Sequence, residues 1–206
     1  MIASQSKGAR LYGQIRRALQ CGRFAPGQRL EPAALATEFG ASLTPVRFAL
    51  HHLSGERLIV DRGRDGFHMP LPTEAALRAL YEWMEIQLMA SLDHGALPNG
   101  TRQRGPDAQE NIAKATWQLF DTIARRTPQQ ELHIATRNAN DRLAPIRNAK
   151  RTLVPEAHSE LAELVDAWER AEIPRLKCGL RDYHGHRRKL VPTTVHLLTQ
   201  ARDALH

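Results

Sequence analysis

Apolar residues recur at Leu11, Ile15, Ala18 and Leu19, three and four positions apart, and predict a one-faced helix. Gly22 ends that pattern and Pro26-Gly27 marks a turn. A short helix follows, with Leu35, Ala36 and Phe39 facing inward and Gly40 at its C-terminal cap. The next stretch, Ala41-Ser42-Leu43-Thr44-Pro45-Val46-Arg47-Phe48-Ala49-Leu50, starts a third helix. Its apolar residues Val46, Ala49, Leu50 and Leu53 fall at i, i+3, i+4 and i+7. Leu58-Ile59-Val60 then reads as a strand, Arg62-Gly63-Arg64-Asp65-Gly66 as a tight turn, and Phe67-His68-Met69 as a returning strand. Three helices and a hairpin within residues 1–70 outline a winged helix-turn-helix.

After Pro70-Leu71-Pro72 the pattern is helical throughout. Helices are predicted near 74–93, 108–126, 128–150, 155–171, 174–189 and 193–204. Thr127-Pro128 reads as an N-cap followed by proline at the first helical position, and Pro155 and Pro174 sit at similar starts. His94 to Asp107 is a polar Gly/Pro loop. The expected fold is therefore mainly α. Residues 1–70 form a winged helix-turn-helix with a small β-hairpin wing, and residues 71–206 an all-α six-helix bundle for effector binding and dimerisation.

Charge sharpens this picture. The chain of 206 residues has a formal net charge of +7. Residues 1–70 hold ten Lys/Arg against five acids, 10 − 5 = +5, so most of the excess lies in the first third. A basic third suits a polyanionic partner. The two cysteines, Cys21 and Cys178, are far apart, as expected of free thiols in a cytoplasmic protein. No apolar run approaches the roughly 18 residues of a membrane span, and the N-terminus lacks a signal-peptide core, so no membrane partner is expected.

On the third helix the apolar side must pack on its two predecessors, which leaves Thr44, Arg47 and His51 to solvent. Ser42 or Thr44 can cap the first amides, and Pro45 costs little in a first turn. The helix N-terminus offers amides and a positive dipole end to a phosphate. Arg47, one turn in, reaches a guanine edge or a second phosphate. Arg62 and Arg64 at the hairpin tip bracket the adjacent backbone or minor groove. The alternative for Arg47 is a salt bridge to Glu56 or Glu38.

The run PGQRL, followed after four residues by LATEFGASLTPVRFALHHLSGERLI, closely resembles the GntR family of bacterial transcription regulators. Its usual run there is PG-x-x-L…LA-x-x-x-G-V-S-R-T-P-V-R-E-A-L-x-x-L-x-x-x-G-L-V. The likeness covers roughly residues 10–70. It implies Thr44 and Arg47 as operator contacts and Gly66 of the wing beside the minor groove. Leu43 and Ala33 stand where the family commonly has arginine. Two usual contacts are thus absent, which implies an altered operator on which Arg62, Arg64, Lys7 and Arg10 carry more of the affinity.

The helical half resembles the effector-binding bundle of the FCD branch, and its six helices are nearer the VanR-like subgroup. Leu80-Tyr81-Glu82 and Phe120-Asp121-Thr122-Ile123-Ala124 carry that likeness. The resemblance implies an Asp and three His holding a divalent metal that fixes a small carboxylate. Here the Asp position falls on Trp117, the first His on Asp121, and the last near His184. His158 lies a turn upstream of Ala162, and Met84 replaces an accompanying arginine. Asp121, His158 and His184 are the residues left for a metal, which is disfavoured. Trp117 and Met84 suggest a more apolar pocket for an uncharged or aromatic effector.

No HExxH, GxSxG, P-loop or GxGxxG pattern supports an enzyme. The expected function is a sequence-specific transcription regulator of the repressor type, binding a palindromic double-stranded DNA operator as a homodimer and answering to a small-molecule effector. The expected DNA residues are Ser42, Thr44, Arg47, His51, Arg62, Arg64 and Gly66. The expected effector residues are Trp117, Asp121, His158 and His184. The alternative is a helical interaction protein that binds nucleic acid without sequence preference and takes no effector.

Overall fold

The structure, a computed structural model, describes residues 7–95, 105–106, 111–150 and 153–204. Most of the loop expected over 94–107, and the helix start expected at 108, lie outside the described residues. The chain divides into two compact units, Met1–Leu71 with Leu198–His206, and Pro72–Leu197. The last turns of the chain group with the first unit, a pairing of distant segments that no local pattern announces.

In the first unit the order is α1 (Lys7–Gln20), β1 (Arg29–Leu30), α2 (Pro32–Glu38), α3 (Leu43–Gly55), β2 (Val60–Asp61) and β3 (Phe67–His68). Leu11, Ile15 and Leu19 of α1 meet Leu35 of α2 and Val46, Leu50 and Leu53 of α3 in one core. The helical spacing of those residues is what places them on facing sides. Between α2 and α3 the chain reverses at Gly40, whose φ is +58°. The Ala41 amide reaches back to the Ala36 carbonyl at 2.9 Å, the closure that a left-handed residue after a helix permits.

The strands form an antiparallel sheet in the order β1-β3-β2, with both Arg29 and Val60 opposite His68. Leu58 and Ile59, expected in a strand, instead precede β2 as buried core residues. Strand β1 was not expected at all, because two residues are too short to show alternation.

The second unit is built from α4 (Glu74–His94), α5 (Ile112–Ala124), α6 (Gln130–Ala149), α7 (Ala157–Glu169), α8 (Ile173–Lys189) and the first half of α9 (Val191–Asp203). Asn111 caps α5, its Oδ1 accepting from the amides of Ala113 at 3.0 Å and Lys114 at 3.2 Å. The expected start of α6 at Thr127-Pro128 is corrected to Gln130. Thr127 Oγ1 accepts from the Gln129 amide at 3.2 Å, but in the reversal after α5 rather than at a helix start. Helix α7 likewise begins at Ala157, two residues after Pro155. Pro174 does sit in the first turn of α8. Tyr81, Phe120, Leu164, Trp168 and Leu180 are among the core residues, and so is Met84, which is fully buried. Among the described residues no helix is long and apolar enough to cross a membrane.

Candidate functional site

Helix α3 opens with Ser42 in extended backbone at the N-cap, yet its side chain makes no capping bond. The expected cap by Ser42 or Thr44 is therefore not formed, and the sequence removes one of the two amides it could bond. A capping oxygen bonds the second or third helical amide. Here Pro45 is the third residue and has no N–H. Thr44, the second residue, is already inside the helix. The first-turn amides therefore have no side-chain cap from Ser42.

Thr44, Arg47, Phe48 and His51, at i, i+3, i+4 and i+7, form an exposed stripe along α3. Neither acid that could have paired with Arg47 does so among the described residues. Glu38 pairs with Arg23 at 2.8 Å, and Glu56 accepts from Tyr12 Oη at 2.6 Å. Phe48 is 72% exposed and Leu43 38% exposed. Sequence reasoning missed Phe48, although the signal was present: it occupies the place of glutamate in the family's TPVREAL run. An exposed aromatic beside an arginine suits the C5 methyl of thymine.

His51 is tied to the wing. Its Nδ1 lies 3.4 Å from Asp61 Oδ2, and its ring meets Phe67 edge-on with centroids 5.0 Å apart. Asp61 Oδ1 in turn accepts from the Gly63 amide at 2.9 Å. These contacts make His51 a positioning residue between α3 and the hairpin.

The hairpin tip is one 3-10 turn, Gly63–Asp65, flanked by exposed Arg62 and carrying exposed Arg64. The Arg62 amide donates to the Gly66 carbonyl at 2.9 Å. Gly66 adopts φ 78° and ψ −158°, a conformation essentially restricted to glycine. Arg29 of β1 lies alongside, its Nε 3.8 Å from where a Cβ on Gly66 would stand. Paired with Glu31 at 2.8 Å, Arg29 is a wing-side arginine that sequence reasoning missed together with its strand.

The four expected effector residues are not brought into one site. Trp117 Nε1 donates to Asp141 Oδ1 at 2.7 Å and pins α5 to α6. Asp121, buried, faces Arg125 Nε at 2.8 Å and His133 Nε2 at 3.4 Å. His158 is exposed on α7. His184 is fully buried, with Nδ1 2.7 Å from the Leu180 carbonyl oxygen. Burial pushes its imidazole down to about 3, against the pull of that backbone bond, so the ring is neutral.

Nor do these donors fit the metal that the resemblance implies. Asp121 is engaged by Arg125 and His133, and His158 points to solvent elsewhere. Among the described residues no group of three or more His, Cys, Asp or Glu could hold a metal ion. Met84, expected to help form an apolar pocket, is core.

Residues 7–69 match the family model for bacterial regulatory proteins of the gntR family. An uncharacterized HTH-type transcriptional regulator, YdhC of Bacillus subtilis (strain 168), is 31% identical over 71 residues. That match covers 34% of this chain and only 32% of the relative's length. The fold of the whole chain is similar to two solved structures. A GntR protein from Rhodococcus sp. RHA1 has a TM-score of 0.73 at 18% identity, and E. coli McbR/YncC a TM-score of 0.72 at 16%. In each case the similarity covers 92% of this chain and 99% of the other.

Proposed function

We propose that this chain, whose residues 7–69 match the gntR family of bacterial regulatory proteins, reads a double-stranded DNA operator and releases or holds it according to a small-molecule effector. The observation that carries this reading is the uncovered stripe Thr44, Arg47, Phe48 and His51 beside an arginine-tipped wing. The free amides at the start of α3 face a phosphate, and Arg47 reaches a base edge. Arg62, Arg64 and Arg29 lie along the flanking backbone.

Selection from randomised duplexes followed by footprinting tests it. Enrichment of one palindromic sequence supports the reading. Steep salt dependence without a specificity ratio would favour the nucleic-acid-binding interaction protein instead. Replacing both Arg62 and Arg64 by alanine is expected to weaken binding across all sequences. The slope of log affinity against log salt should fall by about 0.9 per lost phosphate contact. An unchanged slope would remove the wing from the interface.

The homodimer is part of the same reading, since a two-fold protein matches a palindromic site. Trp83 and Ile86, one turn apart on α4, are 49% and 58% exposed, an apolar surface that a second copy would cover. The double change Trp83→Lys and Ile86→Lys is expected to give a monomer in sedimentation that binds only half-sites. A variant that stays dimeric excludes this face.

A further inference from the structure

Three cations are buried together in the helical unit. Arg147 of α6, Lys150 at its C-cap and Arg187 of α8 are 5%, 3% and 3% exposed. Arg187 pairs with Glu160 of α7, whose other oxygen lies 2.9 Å from His186 Nδ1. Arg147 Nη1 donates to Asn140 Oδ1 at 2.8 Å, but its Nε and Nη2 are buried without a partner. Lys150 Nζ donates to Tyr81 Oη at 2.7 Å, a neutral acceptor. Aromatic faces give the rest of the compensation: Phe120 lies 5.2 Å from Arg147 Cζ, and Tyr183 lies 4.1 Å from Arg187 Cζ.

A buried cation needs a counter-charge or a full set of acceptors, and like charges sharing a site raise the cost further. The consequence is visible at Lys150. Burial, then the neighbouring Arg187 and Arg147, hold its ammonium well below the ordinary lysine range. A cavity opens among these groups, with Thr116, Arg147, Lys150, Val154, Tyr183 and Arg187 in its wall and, among the described residues, no carboxylate. The first turn of α5 borders it too and adds the positive end of that helix.

We propose that this cavity binds a small oxyanion, a carboxylate or phosphate group, held directly by Arg147, Lys150 and Arg187. Two acceptor oxygens match the free edge of the Arg147 guanidinium, and a net negative charge offsets the lysine beside it. The same three cations repel a divalent metal, so the anion is bound without one. In the regulator, on whose effector-responsive reading this last step rests, the group is the recognition end of the effector. The apolar, uncharged effector suggested by Trp117 and Met84 gives way to an anionic one.

Calorimetric titration and thermal unfolding of the full chain with inorganic phosphate, and separately with malonate, test the site. Sodium chloride at equal ionic strength is the control. The expected result is saturable binding and a raised unfolding midpoint with at least one of the two anions. Which of them responds tells phosphate from carboxylate. Arg147→Met should weaken that binding by roughly ten-fold or more. The unliganded variant should unfold at or above the wild-type temperature, because an unpartnered buried charge has gone. A merely structural arginine would lower that temperature.

Lys150→Met gives the same readout should Arg147→Met not fold. The proposal is overturned if neither anion differs from chloride, or if both variants bind as the wild type does. These titrations contain no DNA, so their failure leaves the regulator reading standing. An anion that binds yet never changes operator affinity would strike the effector reading and leave the site.

Discussion

Arg47→Ala is expected to remove most sequence discrimination while leaving the fold intact. A bidentate arginine–guanine contact contributes about 1–3 kcal/mol against the wrong base. On the proposed dimer with two half-sites the loss doubles to about 2–6 kcal/mol, roughly thirty- to twenty-thousand-fold in the specificity ratio. Stability should change little, since Arg47 is exposed on α3 and the nearby acids are engaged by Arg23 and Tyr12. Fluorescence anisotropy with the selected operator and a scrambled duplex, at one fixed salt, measures the ratio, and circular dichroism checks the fold. Equal ratios for variant and wild type would sink the assignment of α3 as reader.

Phe48 gives a second handle on the same surface. Replacing operator thymines by deoxyuridine removes only the C5 methyl. Wild-type affinity should fall at the base Phe48 touches, whereas Phe48→Ala should be indifferent to that replacement. Sensitivity that persists in the variant would assign the methyl contact to another residue.

What could be read from the chain follows from the range of each interaction. Leu11, Ile15, Leu19, Val46, Leu50 and Leu53 repeat at helical spacing, and their pattern alone places α1 and α3 against one core. The outward stripe of α3 follows from the same periodicity, so Thr44 and Arg47 were legible with it. Strand β1 was not, because Arg29 and Leu30 become a strand only through Phe67 and His68, far along the chain.

The buried cations were least legible of all. In Arg142-Leu143-Ala144-Pro145-Ile146-Arg147-Asn148-Ala149-Lys150, basic residues recur as they would on a solvated helix face. Only the packing of α4, α5, α7 and α8 around the end of α6 takes Arg147 and Lys150 out of water. The histidines misled for the converse reason. His184 falls near a metal-ligand position that the resemblance implies and His158 a turn upstream of another, but His158 is exposed and His184 is closed inside the core with its ring stacked 5.7 Å from Phe120.

Glu160→Gln is expected to destabilise the helical unit and make its stability depend on added anion. Glu160 is the carboxylate that Arg187 pairs with, and removing one partner of a buried pair leaves the other charge uncompensated. A fully buried pair would cost about 3–5 kcal/mol, and partial exposure of Glu160 brings the expected loss to roughly 2–3 kcal/mol. Burial alone would raise the Glu160 carboxyl, but its bonds to Arg187 and His186 win and hold it below the usual value of 4.5. A carboxyl lowered by folding stabilises the native state above its unfolded value, and that stability is lost as pH falls through the folded value. The wild type should therefore weaken below about pH 4.5, whereas the variant should lack this contribution at every pH.

Urea unfolding at pH 7 and pH 4, with and without phosphate, separates these contributions. Phosphate should restore the variant more than it stabilises the wild type, because the variant has lost the carboxylate that pairs with Arg187 and a bound anion replaces that charge. A variant as stable as the wild type at pH 7 would mean that Arg187 is compensated by its aromatic contact and solvent alone. The charge imbalance that draws an anion into the cavity would then be absent.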